Sequence, residues 1–380
     1  MTEWKTYRLG DICDYVTSRT SRIENYISTE NMLPNKGGVC TPSNVPSGTA
    51  IEYKVGDILI SNIRPYFQKI WQADCNGACS ADVLCIRANN KADSKYLYYL
   101  LSQQLFFDYV MSGAKGCKMP RGDKRQIMQW GISLPPLEEQ RRIAGILGAI
   151  DDKIENNRRI NTNLELQAQA LYKQWFVDNR KDDWEEKQLG EIALHITDGV
   201  HNTVIDSPNG EYYLLSCKNI KSGQLFIGSN ERRIDHETFT KLRKRTRLSH
   251  GDILVTSVGT VGEMYLVNES PSNYEFQRSV AIIKPNNDII SSYFLYAALL
   301  YQQNEIKHLA HGAVQQCIFI SDLKEYSLIV PNKDDISAFD AVVAPMFNKI
   351  GELQKENETL TTLRDTLLPK LMNGEIKVAE

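Results

Sequence analysis

Apolar residues recur in steps of four and three through the middle of the chain, at Ile143, Leu147, Ile150 and Ile154 and again at Leu164, Ala168, Leu171 and Trp175. This spacing predicts one long helix with a single apolar stripe, running from about residue 137 to residue 178. Pro135 and Pro136 punctuate its start, and Glu138 and Glu139 suit the positive end of its dipole. At ~1.5 Å per residue such a helix spans on the order of 60 Å, and a stripe that long needs a partner. The partner lies near the end of the chain, where Phe339, Val343, Met346, Ile350, Leu353, Leu360, Leu367 and Leu371 form a second stripe. Pro345 and Pro369 fall inside it and predict a kink or a late start.

The second stripe repeats the first at an offset of 196 residues, so that Asp152-Lys153-Ile154 falls on Asn348-Lys349-Ile350 and Asn161 on Asn357. Asn157 and Asn161 interrupt the first stripe. Each Asn either sits in the seam, where it fixes register at a cost in stability, or lies at its solvent edge. The repeat extends beyond the helices. Arg8-Leu9-Gly10-Asp11-Ile12 answers Gln188-Leu189-Gly190-Glu191-Ile192, and Gly56-Asp57-Ile58-Leu59-Ile60-Ser61 answers Gly251-Asp252-Ile253-Leu254-Val255-Thr256. Further on, Ser112-Gly113-Ala114 answers His311-Gly312-Ala313. The unit is a globular domain followed by a long helix, present twice, which is a domain duplication rather than a solenoid.

Within each half, Gly-Asp turns precede short β-rich runs at Ile58–Ile63 and Ile253–Val258, with further strands at Ala81–Arg87 and Ser279–Lys284. Helical stretches follow at Ser94–Met111 and Ile290–Ala310. The expected fold class is α+β: two similar mixed-sheet domains at 1–136 and 179–332, separated by helices at 137–178 and 333–380. The helices are expected to form an antiparallel coiled coil with an internal pseudo-twofold repeat, its seam built from Ile143, Leu147, Ile150, Ile154, Asn161, Leu164 and Leu171 against Val343, Met346, Ile350, Leu353, Asn357, Leu360 and Leu367.

Composition narrows the function. No apolar run approaches a membrane span and the first residues lack the apolar core of a signal peptide, which implies a cytoplasmic protein. The eight cysteines form no disulfide framework; Cys75, Cys79 and Cys85 cluster without a CxxC pair and read as small thiols rather than a zinc site. The net charge of -3 argues against holding nucleic acid by bulk charge. The two helical regions together carry -4, which leaves +1 on the remainder. Local basic clusters stand out there. Between Glu231 and Gly251, seven Lys or Arg oppose three acids, among them Arg243, Lys244 and Arg245. Lys115, Lys118, Arg121, Lys124 and Arg125 form a second cluster. Ser61, Asn62, Arg64 and Tyr66 follow a strand and present planar donors beside an aromatic ring; Arg and Asn are the side chains that read guanine and adenine edges. The matching Thr256–Thr260 segment is smaller and contains Gly259, where backbone can approach a phosphate. His201, Asn202, Gln315 and Gln316 lie in further loops with readout chemistry, although Asp, Gly and Asn favour turns anyway. There is no phosphate loop, no nucleophile elbow, no HExxH pair and no Asn-Pro-Pro-aromatic tetrapeptide. Glu185-Glu186-Lys187 is too cramped for a nuclease carboxylate–lysine set.

Several stretches resemble the DNA-specificity subunit of type I restriction–modification systems, and the resemblance covers the whole chain. Leu134-Pro-Pro-Leu-Glu-Glu-Gln-Arg-Arg-Ile-Ala144 with Asp151-Asp-Lys-Ile-Glu155 is similar to that family's central spacer helix, and Leu367-Leu-Pro-Lys-Leu-Met-Asn-Gly-Glu-Ile376 to its distal one. Val258-Gly-Thr-Val-Gly262 and Thr197-Asp-Gly-Val-His201 resemble stretches of its recognition domains. The resemblance implies two target recognition domains, each reading half of a split double-stranded DNA sequence, on a helical ruler. It implies no chemistry and no cofactor in this chain. S-adenosylmethionine would belong to two methylation subunits docked on the outward helix faces, and ATP and Mg to restriction subunits. A self-sufficient restriction enzyme and a protein-binding coiled-coil scaffold are the rival classes.

Overall fold

The computed structural model describes residues 4–116, 118–228, 231–312 and 316–378. The chain forms two compact units, one of residues 1–154 with 358–380 and one of residues 155–357. The boundaries fall inside the long helices, so each unit contains a segment of both.

The first unit is built on a four-stranded antiparallel sheet in the order Cys13–Tyr15, Val83–Ala88, Ile58–Ser61, Ile70–Gln72. The central strand Ile58–Ser61 is buried at every position, because both its faces are covered. A three-stranded sheet of Arg19–Thr20, Ala50–Tyr53 and Gly77–Cys79 stands apart from it, and Lys5–Arg8 pairs with Gly131–Leu134. The second unit repeats the plan. Ala193–Asp198, Val280–Pro285, Ile253–Thr256 and Met264–Leu266 form its four-stranded sheet, and Glu185–Gln188 pairs with Ser327–Val330. Strand directions mix in its three-stranded sheet, where Tyr212–Leu215 runs parallel to Tyr274–Phe276 and antiparallel to Arg233–Ile234. The first unit has a smaller parallel element, the bridge between Ile27 and Cys79.

The helical stretches expected at 94–111 and 290–310 each break in two, into Ser94–Leu101 with Gln104–Ser112 and Ser292–Tyr301 with Gln303–His308. Both first helices are capped by a side chain: the Asp93 carboxylate accepts the amides of Lys95 and Tyr96, and the Ser291 hydroxyl accepts that of Phe294.

The central helix runs as α-helix over Leu137–Tyr172 and closes with a π-helical turn over Lys173–Asp178. The distal helix covers Lys333–Met372 without a break. It neither starts late nor stops at Pro345 or Pro369. Both prolines are exposed, while buried Val343, Phe347, Leu368 and Leu371 carry the packing face past them. That burial offsets the roughly 3 kcal/mol a helix-interior proline costs. In the first unit Ile143, Ala144 and Leu147 share a core with Leu368, Leu371 and Met372. In the second, Ala168, Tyr172 and Phe176 share one with Phe339, Val343, Phe347 and Ile350. The low-numbered end of one helix thus meets the high-numbered end of the other, which is an antiparallel arrangement.

The seam departs from the expected one in phase. Phe347 is buried where Met346 was expected, and Tyr172 and Phe176 are buried where Leu171 and Trp175 were. Ile150, Leu164, Leu360 and Leu367 are half-buried. A straight helix drifts against a seven-residue repeat, and the π turn adds a further shift. The Asn residues belong to the seam: Asn157 and Asn161 are 0% and 4% exposed. Asn157 Nδ2 donates to Asn357 Oδ1 at 2.9 Å and to Glu356 Oε2 at 2.7 Å.

Candidate nucleic-acid interface

In the first unit the strand Ile58–Ser61 ends at a loop that returns to the sheet where the Ser61 amide donates to the Lys69 carbonyl at 3.0 Å. In the second, Ile253–Thr256 ends at a loop closed by the Thr256 amide on the Glu263 carbonyl at 2.8 Å. Against each loop lies the arm that follows the second short helix. Backbone bridges join Ile63 to Arg121 and Lys115 to Arg121 in one unit, and Val258 to Cys317 and His311 to Cys317 in the other. The same two loops are therefore stitched together twice, by residues at equivalent positions of the repeat. Arg64 (φ 51) and Gly259 (φ 89) occupy the same left-handed position. A glycine reaches that conformation freely, whereas an arginine there is strained.

The side chains on this framework differ between the units. In the first, the Arg64 amide donates to the Pro120 carbonyl at 2.8 Å, and its Nε is buried without a partner among the described residues. Asn62 is half-buried, with its Oδ1 in the same state. Tyr66, Lys115, Lys118, Arg121 and Lys124 are exposed. Arg121 lies 3.3 Å from Asp82, and Lys115 lies 3.1 Å from Asp123. Lys115 and the amides of Gln126 and Arg125 hold the Asp123 carboxyl below the usual carboxylate range. In the second unit Thr260 and Gln316 are exposed beside Gly259, whose amide donates to the Gln316 carbonyl at 3.4 Å. Gln315 lies outside the described residues.

Three of the expected contacts are structural instead. Ser61 and Thr256 are buried; the Ser61 hydroxyl donates to the Ile63 carbonyl, and the Thr256 hydroxyl accepts the Glu263 amide. Both serve to close their loops, because a hydroxyl at the last residue of a buried strand must find a backbone partner. Arg243 is the third. Its guanidinium is committed to the fully buried Glu275 and to the Tyr274 carbonyl, the latter at 2.8 Å. Burial pushes the Glu275 carboxyl up, while Arg243 and the Thr246 hydroxyl oppose that shift. The basic run around it forms the helix His236–Thr246, in which Lys244 and Arg245 face outward.

Arg245 organises the next loop. Its guanidinium donates to the carbonyls of Asp198 and Gly199, and the Asp198 carboxylate takes His201 at 2.6 Å. A Cβ on Gly199 would lie 2.1 Å from the Phe276 carbonyl, so only glycine fits there. The loop borders a polar cavity of about 320 Å³, lined by His201, Asn202, Arg232, Gln277 and Arg278 among others. Arg232 is held by Asp206 at 2.7 Å and by the Val204 carbonyl at 2.8 Å. Arg278 is exposed, with its amide on the Val200 carbonyl at 3.0 Å. Sequence reasoning missed Gln277 and Arg278, because nothing local says that the end of Tyr274–Phe276 comes beside residues 199–204. It also missed Phe67 and Lys69, although Phe67 directly follows Tyr66.

Among the described residues no group of three or more His, Cys, Asp or Glu could hold a metal ion, and no helix is long and apolar enough to cross a membrane.

Comparison with known proteins matches the family described as the type I restriction modification DNA specificity domain twice, over residues 1–166 and 181–360. The chain belongs to this family. It is similar to the specificity subunit of the type I restriction enzyme MjaIX of Methanocaldococcus jannaschii, with 29% identity over 76% of this chain and 70% of that one. It is also similar to the HindI specificity subunit of Haemophilus influenzae, with 26% identity over 99% of this chain and the whole of that one. Its fold is like that of the crystallised S subunit of a type I restriction–modification system from M. genitalium, with a TM-score of 0.54, 18% identity, 98% of this chain and 96% of the other covered. The family match falls once on each globular half, as the internal repeat does, and its function is DNA specificity.

Proposed function

We propose that each unit of this specificity subunit reads one half of a bipartite double-stranded DNA target, and that the paired helices set the distance between the halves. One observation carries the reading: a single loop framework is built twice with different side chains. Tyr66, Lys115 and Arg121 project from the first copy beside half-buried Arg64, and Thr260, His311 and Gln316 from the second. Two different readers on one scaffold read two different half-sites, expected roughly one helical turn (~10 bp) apart. In this reading Arg64 and Asn62 meet base edges. Lys115, Lys118, Arg121 and Lys124 contact phosphates, as do Lys244 and the backbone at Gly259–Thr260. Asn202, His201, Gln277 and Arg278 add a second reading surface in the second unit.

The chain itself is not catalytic and holds no cofactor in this proposal. Two methylation subunits bind S-adenosylmethionine and dock on the outward helix faces, and restriction subunits handle ATP and Mg, all in the cytoplasm. The modest net charge agrees with partners that share the grip on phosphate. The test is modified-base sequencing of DNA from cells that express the chain with its methylation partner, repeated with residues 184–332 exchanged for those of another such protein. A split motif of which one half changes is the expected result. Methylation that the exchange leaves unaltered would leave only the scaffold reading standing. Purified chain that cleaves or methylates DNA by itself, given metal and S-adenosylmethionine, would overturn the non-catalytic assignment.

A further inference from the structure

The tip of the Asn62–Gln68 loop carries a feature that its counterpart lacks. Pro65–Phe67 forms a single 3-10 turn with Pro65 buried at its base. Tyr66 and Phe67 project from it, 48% and 37% exposed, with ring centroids 4.7 Å apart. The turn is closed by the Phe67 amide on the Arg64 carbonyl at 3.0 Å and the Gln68 amide on the Pro65 carbonyl at 2.8 Å. It is gripped from outside as well: the Asn35 amide donates to the Phe67 carbonyl at 2.8 Å and the Lys36 amide to the Gln68 carbonyl at 3.0 Å.

Four residues of the turn and its grip are left-handed, Asn35 (φ 53), Lys36 (φ 61), Arg64 (φ 51) and Gln68 (φ 50). They are four of the seven non-glycine residues with positive φ among the described residues. Such backbone persists only where its surroundings over-determine it. The tip is therefore a rigid knuckle that holds two aromatic rings out in water. One cation stands beside it, and two more cations with one apolar side chain lie on the segment bonded to the first residue of the turn. Lys69 Nζ stands 5.9 Å from the centre of the Phe67 ring and is anchored on the Thr29 carbonyl at 2.6 Å. Met119, 51% exposed, precedes the Pro120 whose carbonyl receives the Arg64 amide, and Lys118 and Arg121 flank that pair. In the second unit the turn is one residue shorter, Gly259 and Gly262 take its left-handed positions, Val261 is buried and no aromatic projects.

We infer that the Tyr66–Phe67 knuckle is a wedge that inserts between neighbouring base pairs of the half-site read by the first unit and kinks the duplex there, while the half-site of the second unit stays stacked. The inference rests on the reading of one half-site per unit. Apolar side chains on a rigid support unstack a base step, and cations on either side hold the bent backbone. The cationic rim selects a polyanion over an apolar protein partner. A rigid knuckle has already given up the loop entropy that insertion would otherwise cost.

The test uses the complex of this chain with its methylation subunits on DNA that carries the methylated motif. 2-Aminopurine is placed in either half-site, away from the methylated adenine, and bending is read by the mobility of circularly permuted fragments. The first unit's half-site is the one that persists when residues 184–332 are exchanged. The expected result is a bend of about 20–90° centred in that half-site. A several-fold rise in 2-aminopurine fluorescence is expected there and not in the other half. Tyr66→Ser with Phe67→Ser abolishes both signals, and the conservative Phe67→Leu retains them. An unbent duplex, a bend shared by both half-sites, or signals that survive the double serine variant would overturn the wedge and leave the two-reader assignment intact. If the double variant no longer binds, the position of the wild-type bend decides alone. A motif that responds to no exchange would overturn the two-reader assignment itself.

Discussion

Replacing Arg243 by Ala is expected to unfold the second unit more easily without altering which DNA sequence is methylated. Arg243 is one-quarter exposed, and its partner Glu275 is fully buried on the strand Tyr274–Phe276. Removing the guanidinium leaves that carboxylate with the Thr246 hydroxyl, at 3.0 and 3.1 Å, as its remaining side-chain partner. Breaking a buried pair in this way costs about 3–5 kcal/mol, because an uncompensated charge stays in a low-dielectric interior. In a unit of this size that corresponds to a fall in Tm of roughly 6–20 °C. The loss should depend on pH. Burial already raises the folded-state pKa of Glu275, and without Arg243 it rises further. A carboxyl whose folded pKa lies above its unfolded value binds more protons folded than unfolded between the two values. Its contribution to stability is therefore present below the unfolded pKa of about 4.3 and is lost as pH rises through the folded one. The variant should be closest to wild type near pH 4 and furthest from it at neutral pH. Adding Glu275→Gln should recover much of the loss and flatten the pH dependence. Scanning calorimetry between pH 4 and 8, with modified-base sequencing alongside, reads all of this. Unchanged unfolding together with a weaker, less salt-dependent grip on DNA would refute the argument and return Arg243 to the phosphate-binding set.

Arg64→Ala should relax base choice at one position of the first half-site, by about 1–3 kcal/mol of discrimination, while the other half-site keeps its sequence; an unchanged methylated motif would count against base readout. Lys244→Ala is expected to weaken DNA binding with little change of motif, and a preserved affinity and salt slope would remove it from the interface. In the helix seam, Asn161 is buried with neither side-chain atom partnered among the described residues, so Asn161→Leu should stabilise the second unit by on the order of 1 kcal/mol. Asn157→Leu should do the opposite by about 1–3 kcal/mol, since it removes the donor on which Asn357 and Glu356 converge; thermal unfolding of the two variants with the same sign would contradict this. Burial raises the Glu165 carboxyl, against a hydrogen bond from Tyr296, so Glu165→Gln should raise Tm at pH 7 and leave it nearly unchanged at pH 4.

The sequence by itself determined the architecture. A sustained apolar stripe has to become a helix with a partner, and an offset of 196 residues has to become two copies of one fold, because both rest on local periodicity that no tertiary contact reverses. The places where charge and readout chemistry cluster were legible for the same reason. What each of those side chains does was not. Arg243, Lys244 and Arg245 are adjacent in one helix, yet one neutralises a buried glutamate, one projects into solvent and one ties down the loop at Asp198. Only the fold brings Glu275 and Asp198 beside that helix. Ser61 and Thr256 likewise read as DNA contacts until their burial shows both hydroxyls committed to closing loops. The phase of the helix seam was decided by tertiary packing too, since a small drift per turn settles whether Met346 or Phe347 faces inward. The rigid knuckle at Tyr66 and Phe67 needed the fold most. Its stiffness comes from Asn35 and Lys36, some thirty residues earlier in the chain, and hydrogen bonds across that separation leave no trace in a local pattern.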